Sequence, residues 1–296
     1  MAYANFLAPI DGYTNLPFRL LCQKYGAIAT CVPLVNSTAI ARLDEKISFV
    51  DAHKDEKNIG VQLVGNNPED IEKTARIVVE EKPFVKWLNL NCGCPSTRTR
   101  ESGGGSALLE KPEIIVKSVL GMKKHHDNVS VKIRLRSNKK ETLEICKKIQ
   151  DAGAESIIVH GRTVKQGYSG NTNWEEIRYL KENLEIEVIG NGNIKTIEQG
   201  QKYVNEGYCH SFMIGRAAMV NPMLFNEKEI TSRIAILSEY IRLHERYLGE
   251  VEVNDIKVKA VNFITGLSHA SRLRDKICRA ETVDNILELV EKGIIN

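Results

Sequence analysis

The residues best suited to chemistry in this chain begin with a cysteine pair, Cys92-Gly93-Cys94-Pro95. Two thiols two residues apart are compatible with metal or disulfide chemistry. Structural zinc, however, takes its C-x₂₋₄-C pairs in twos, and no second Cys/His pair lies at matching spacing. His125 and His126 are adjacent, so on a helix they cannot both face one ion. No metal is therefore expected. A proline after Cys94 and the run Gly103-Gly104-Gly105 imply a long ordered loop that holds Cys94 over the mouth of a site, as an acid or as a nucleophile.

Such a loop needs elements to hang from. Apolar runs rich in β-formers recur at Asn5–Pro9, Ala29–Leu34, Ile59–Val64, Val85–Asn91, Val129–Arg134, Ser156–His160, Glu187–Asn191 and Ser211–Gly215. Helical periodicity lies between them at Pro68–Glu81, Pro112–Lys124, Lys139–Ala152, Asn173–Glu182 and Thr196–Asn205, with a poorly marked helix around Ala39–Phe49. Starts such as Asn67-Pro68 and stops such as Ala152-Gly153 punctuate the pattern. Eight strands alternating with helices predict an α/β chain folded as a closed (β/α)₈ TIM barrel. An open doubly wound sheet is the alternative, but no G-x-G-x-x-G follows the first strand. Beyond Phe225 strand-like runs and prolines cease, and helical patterns follow at Ile230–Leu248, Asn254–Leu267, Ala270–Ala280 and Val283–Glu291. The sequence thus divides into a barrel over 1–226 and a C-terminal helical bundle over 227–296.

In such a barrel the active-site groups emerge where the strands end. The ends here are polar in succession: Pro9-Ile10-Asp11, Gln62, Asn89-Leu90-Asn91-Cys92-Gly93-Cys94, Lys132, His160-Gly161-Arg162, Asn191-Gly192-Asn193 and Gly215-Arg216. Taken singly, Gln62 fits a satisfied core amide and His160 a structural imidazole. Together on one rim they predict a small-molecule site at the mouth. The glycines after the seventh and eighth strands expose backbone N–H groups, the device by which barrels hold a phosphate.

Composition sets outer limits. The chain has 296 residues, 42% hydrophobic and 27% charged, with a net charge of +3, so bulk electrostatics do not name a partner. No apolar run approaches the roughly 20 residues of a membrane span, and the N-terminus lacks signal-peptide regions. Seven scattered cysteines fit a reduced, cytoplasmic protein.

In order along the chain stand A-P-I-D-G-Y-T-N-L-P-F-R, Q-L-V-G, N-L-N-C-G-C-P, G-G-G-S-A-L-L, V-K-I-R, V-H-G-R-T, I-G-N-G-N-I and M-I-G-R-A-A. Together they resemble the tRNA-dihydrouridine synthases over roughly Asn5 to Phe225. The helical tail has the position and size of that family's tRNA-binding domain. The resemblance implies FMN in the mouth, NADPH or NADH as reductant, and reduction of the C5–C6 double bond of specific uridines in tRNA. Hydride would pass from the flavin to C6, and Cys94 would give the proton to C5. It also implies that Pro9, Ile10 and Asp11 pass along the flavin, that Gln62 meets its polar edge, and that Lys132 and His160 contact it. Asn191, Gly192, Asn193, Gly215 and Arg216 would hold the phosphate, and Asn89 would orient substrate or flavin. The first motif departs from the family's usual P-M-A-G-x-T-D by placing Asp11 beside the proposed flavin. The tail stretch Ile256–Phe263 departs from the family's R-K-H-x-x-W-Y.

For the RNA, residues 254–281 carry six basic against three acidic residues. Lys257, Lys259, Arg272 and Arg274 there, with Arg98, Arg100, Arg162 and Lys165 on barrel loops, form the expected phosphate track. No membrane or protein partner is expected. Two rival functions share the same residues. One is a flavin barrel acting on a free pyrimidine, in the manner of dihydroorotate dehydrogenases. The other is a non-catalytic tRNA-binding module.

Overall fold

In the computed structural model of the chain, residues 5–43, 50–226 and 232–295 are described. Eight strands alternate with helices: β1 (Asn5–Leu7), β2 (Thr30–Asn36), β3 (Ile59–Val64), β4 (Trp87–Cys92), β5 (Val129–Leu135), β6 (Ser156–Thr163), β7 (Glu187–Asn191) and β8 (Ser211–Ile214). All pair in parallel in the order β1-β8-β7-β6-β5-β4-β3-β2. A parallel bridge between Phe6 and Ala29 joins the two ends, and the Leu7 N–H donates to the Ala29 carbonyl at 2.9 Å. The expected (β/α)₈ barrel is therefore the fold. Its strands are buried on both faces, which is why they read as near-continuous Val/Ile/Leu runs rather than as alternation.

The helices of this part are α1 (Leu16–Lys24), α2 (Ser37–Leu43), α3 (Pro68–Glu81), α4 (Thr97–Glu101), α5 (Pro112–Lys123), α6 (Lys139–Asp151), α7 (Trp174–Asn183), α8 (Ile197–Asn205) and α9 (Arg216–Val220). Their starts follow capping chemistry. Asn67 accepts from the Glu69 N–H and Asn138 from the Lys140 N–H, and prolines stand early in α1, α3 and α5. The helix α1 had no sequence expectation, although Asn15 caps it at Phe18 N and Pro17 follows. Of the helix expected at Ala39–Phe49, α2 accounts for the first part, and 44–49 lie outside the described residues.

The barrel interior is filled by Ala8, Cys31, Trp87, Ile158, Ile189 and Met213, with Phe6 edge-on to Trp87. Gly60 on β3 makes room for that indole, because a Cβ there would fall 2.2 Å from the ring.

From Arg233 on, the described chain is helical: α10 (Arg233–Leu248), α11 (Val253–Phe263), α12 (Ala270–Arg279) and α13 (Val283–Ile295). The helix α10 packs along α1, and α11 packs against α9. A buried polar node lies at this seam. Lys259 Nζ donates to the Tyr13 carbonyl at 2.8 Å and pairs with Asp255 at 3.1 Å. The Tyr240 hydroxyl donates to the Asp255 carboxylate, and the Asn15 amide donates to Tyr240 Oη at 2.7 Å.

Candidate active site

The carboxyl ends of β1, β5, β6, β7 and β8 surround a cavity of about 570 Å³, within the usual size of a small-molecule site. Pro9, Ile10, Lys132, His160, Asn191, Gly192, Asn193, Gly215 and Arg216 all line it, as do Tyr168, Lys195 and Met219. Among the described residues its wall holds three cations, Lys132, Lys195 and Arg216, and no carboxylate. Asp11, expected along the flavin, is exposed on the turn after β1 and is not among the residues of this wall.

The charge on this wall reshapes its titratable groups. Burial, then the charges of Lys132, Arg134, Arg162 and Arg216, push the His160 imidazole down to about 2, so it is neutral. Burial, then Arg134, pulls the Lys132 ammonium down to about 8, while nearby Cys94 works the other way. Lys132 has no hydrogen-bond partner among the described residues, although it is half-buried. An unpaired cation of this kind holds its proton less tightly, as the fall to about 8 reflects.

At the far wall the backbone does the shaping. Gly192 has φ +129° and Asn193 φ +52°. A Cβ on Gly192 would fall 2.8 Å from Thr172 Cγ2 and 3.1 Å from His160 Cδ2. Arg216 Nη2 donates to Asn193 Oδ1 at 2.9 Å, which ties the two glycine turns together. Asn191 donates to the Met213 carbonyl at 2.8 Å.

Beneath the mouth runs a buried amide ladder. Asn91 Nδ2 donates to Gln62 Oε1 at 2.7 Å, Gln62 Nε2 to Asn89 Oδ1 at 2.7 Å, and Asn89 Nδ2 to Ser130 Oγ at 2.8 Å. Gln62 and Asn89, the residues expected to touch flavin or substrate, are both buried and hydrogen-bonded to one another. What they hold is Asn91, whose Oδ1 accepts from the N–H groups of Gly93 and Cys94 at 3.1 and 2.9 Å. The ladder therefore sets the turn that carries Cys94, which is half-buried, does not itself line the cavity, and lies near enough to Lys132 to act on its charge. Cys92, its neighbour, is fully buried, and that burial pushes its thiol far up.

Two arginines brace the same rim. Arg134, only 2% exposed, donates to the Gly93 carbonyl at 2.9 Å and to the Thr163 and Gly167 carbonyls at 3.2 and 2.7 Å. It thereby joins the Cys94 loop to the loop after β6. Arg162, 1% exposed, donates to the Ser169 and Gly170 carbonyls at 3.0 and 2.6 Å. It was expected on an RNA track, but it lies inside the loop it folds. Above them Tyr168, 59% exposed, has guanidiniums over its ring from Arg134 at 5.4 Å and Arg216 at 4.9 Å. Tyr168 and Lys195 had no sequence expectation, whereas Asn91 stood in the polar run at the end of the fourth strand and Arg134 in V-K-I-R, neither with a role of its own. Arg134 lies two residues from Lys132 on one strand, a spacing that shares a face.

Of the other expected RNA contacts, Arg98, Arg100, Lys165 and Arg272 are exposed, while Lys257 and Arg274 are half-buried. Arg274 donates to Thr265 Oγ1 at 3.1 Å. Lys259 is fully buried in the node between barrel and tail, because its charge is needed against Asp255, and it cannot reach an RNA phosphate.

A (β/α)₈ barrel with a cationic, glycine-lined cavity at its strand ends has the architecture of the barrel enzymes, many of which hold a phosphate after strands seven and eight. The family description "Dihydrouridine synthase" matches residues 6–292, and the chain belongs to that family. It is 29% identical over 97% of its length to a probable tRNA-dihydrouridine synthase of Aquifex aeolicus, covering 95% of that protein. It is 30% identical to a tRNA-dihydrouridine(47) synthase [NAD(P)(+)] of Coprinopsis cinerea, over 83% of this chain and 40% of that one. Among solved structures, a 6-hydroxypseudooxynicotine amine oxidase from Pseudomonas geniculata shares the barrel with a TM-score of 0.55 at 10% identity, covering 80% of this chain and 50% of that one.

Proposed function

We propose that the chain is a tRNA-dihydrouridine synthase that reduces the C5–C6 double bond of uridines in tRNA, using FMN held at the barrel mouth and NADPH or NADH as reductant. The observation that carries this reading is the cavity wall itself: three cations, a glycine cradle and no carboxylate among the described residues, beside a half-buried cysteine. These residues fit FMN. Backbone N–H groups around Gly192–Asn193 and Gly215–Arg216, with the Arg216 guanidinium, suit its phosphate. Lys132 suits the polar edge of the ring, where a cation stabilises negative charge. His160, being neutral, can donate or accept one hydrogen bond without adding charge.

When bound, FMN supplies the hydride that it has taken from the nicotinamide. The chain's own residues do the rest. As charge develops on C5 and O4 of the uracil, the Cys94 thiol gives its proton to C5. Asn91 and Arg134, by fixing Gly93 and Cys94, keep that thiol in place. The target base must leave the RNA stack to reach the mouth. Tyr168 offers an exposed ring at that mouth, on which a base can stack. The exposed Arg98, Arg100, Lys165 and Arg272, with the helical tail over 227–296, take the RNA backbone. Seven free cysteines fit a reducing, cytoplasmic setting.

The test is dihydrouridine in bulk tRNA from a strain lacking the gene, compared with one restored by wild type or by Cys94→Ala. Loss on deletion, return with wild type and no return with Cys94→Ala, although the purified variant keeps its flavin, is the expected result. Unchanged dihydrouridine on deletion would defeat the synthase reading. Loss of flavin from Cys94→Ala would make the residue structural.

A further inference from the structure

From Cys94 a short chain of hydroxyls leads to open water. The Cys94 thiol donates toward Thr99 Oγ1 at 3.6 Å, and Thr99 Oγ1 lies 3.3 Å from Ser96 Oγ. Exposure rises along it: Cys94 and Thr99 are half-buried and Ser96 is exposed. Capping explains part of this arrangement, since Ser96 Oγ accepts the Thr99 N–H at 3.3 Å at the start of α4. It does not explain why the residue at the third helical position turns a hydroxyl to the cysteine. In a capping box that position holds Glu or Gln, which reaches back to the cap.

The contact between thiol and hydroxyl is also enforced from the other side. Gly105 has φ +59°, and a Cβ there would fall 2.8 Å from Thr99 Cγ2 and 3.1 Å from Cys94 Cβ. The Cys94 carbonyl accepts the Ser106 N–H at 3.1 Å, so the loop folds back over both residues.

We propose that Thr99 is a positioning residue that returns a proton from solvent, through Ser96, to Cys94 while RNA still covers the barrel mouth. This rests on the reading of Cys94 as proton donor. In the donating step the S–H bond breaks, the electron pair at C5 of the uracil takes the proton, and a thiolate remains. The Thr99 hydroxyl then gives its proton to sulfur, the Ser96 hydroxyl gives its own to Thr99, and water gives one to Ser96. The net transfer is one proton from water to sulfur, the hydroxide being neutralised by buffer, with no oxidant or reductant consumed. A hydroxyl both donates and accepts, so the chain reverses direction by rotating its O–H groups. An extruded base seated in the mouth excludes water from the thiolate, which makes the side route useful.

The experiment compares the first turnover with later ones in the flavin-loaded enzyme acting on tRNA. In Thr99→Val the first dihydrouridine should form at the wild-type rate, because the relay acts only after the thiol has given up its proton. Steady-state turnover should then fall about tenfold or more, as expected when a proton-transfer group is removed. Thr99→Ser should restore it, and heavy water should slow the later turnovers more than the first. Equal slowing of first and later turnovers would mean that Thr99 only supports the loop. No slowing at all would mean that water reaches the thiolate directly. Either result overturns the relay while Cys94→Ala remains inactive. If Cys94→Ala is active, both readings fall together. Should Thr99→Val not retain flavin, Ser96→Ala carries the same comparison.

Discussion

Lys132 is held between two demands. Burial and Arg134 favour the neutral amine, and the ammonium is what an anionic ligand needs. With its proton leaving at about 8, the free protein offers a full cation below that pH and loses it above. The affinity of the flavin-free protein for FMN should therefore be level toward pH 7 and weaken as pH rises through about 8. Binding of the anion itself raises the lysine's proton affinity, so the decline begins at the free protein's value. In Lys132→Met this step should vanish and affinity should be lower throughout, measured by fluorescence titration of FMN across pH 6.5–9.5. A step that persists in the variant would assign it to another group. His160 contributes no such step, since its proton leaves at about 2.

The elements act by presenting turns. The β7 turn depends on Gly192, whose φ of +129° and close approach to Thr172 and His160 leave no room for a side chain. Gly192→Ala should fold, because the turn lies at the mouth rather than in the barrel interior. It should lose flavin affinity about tenfold or more, the scale at which about 1.4 kcal/mol of backbone strain appears in binding. Equilibrium dialysis of FMN checks this, and unchanged affinity would mean that the β7 turn does not hold the phosphate. The β4 and β6 loops are joined by Arg134, so a change at either loop reaches Cys94 through the Gly93 carbonyl.

At the scale of the whole molecule, barrel and tail meet through a buried charge pair. Asp255→Ala would leave the fully buried Lys259 ammonium with the Tyr13 carbonyl and without its counter-charge. The expected cost is about 3–5 kcal/mol in urea unfolding, as for other buried pairs broken from one side. Lys259→Met, with its partner only partly enclosed, should cost less. Equal losses would show that the pair acts through packing rather than charge. The exposed basic residues behave differently. Arg272→Glu should leave the unfolding midpoint unchanged, weaken tRNA binding, and lower the slope of log affinity against log salt by about one. A filter-binding series in potassium chloride reads this directly, and an unchanged slope would take Arg272 off the RNA path.

Much of this protein was legible in its residues. The eight strands could be read because a parallel barrel buries both strand faces, and β3 and β7 match their expected limits. The rim motifs could be read because strand ends must carry the chemistry of a barrel, and nine of the expected cofactor residues line one cavity. Helix α1 was not, since nine residues carry too little periodicity to stand out from a loop. The short α4, which carries Thr99, was likewise unexpected.

What the sequence determined alone was the kind of residue at each strand end, the barrel that follows from the alternation, and the resemblance to the dihydrouridine synthases. Tertiary structure decided which of those residues face the cavity and which support it. Gln62 and Asn89 close a ladder under the mouth, Arg162 folds inward, Asp11 turns out to solvent, and Lys259 is drawn into the seam with the tail. The physical reason is the same in each case. A buried polar group must satisfy itself with whatever the fold brings near, and that partner is set by register and packing rather than by the residue's place along the chain.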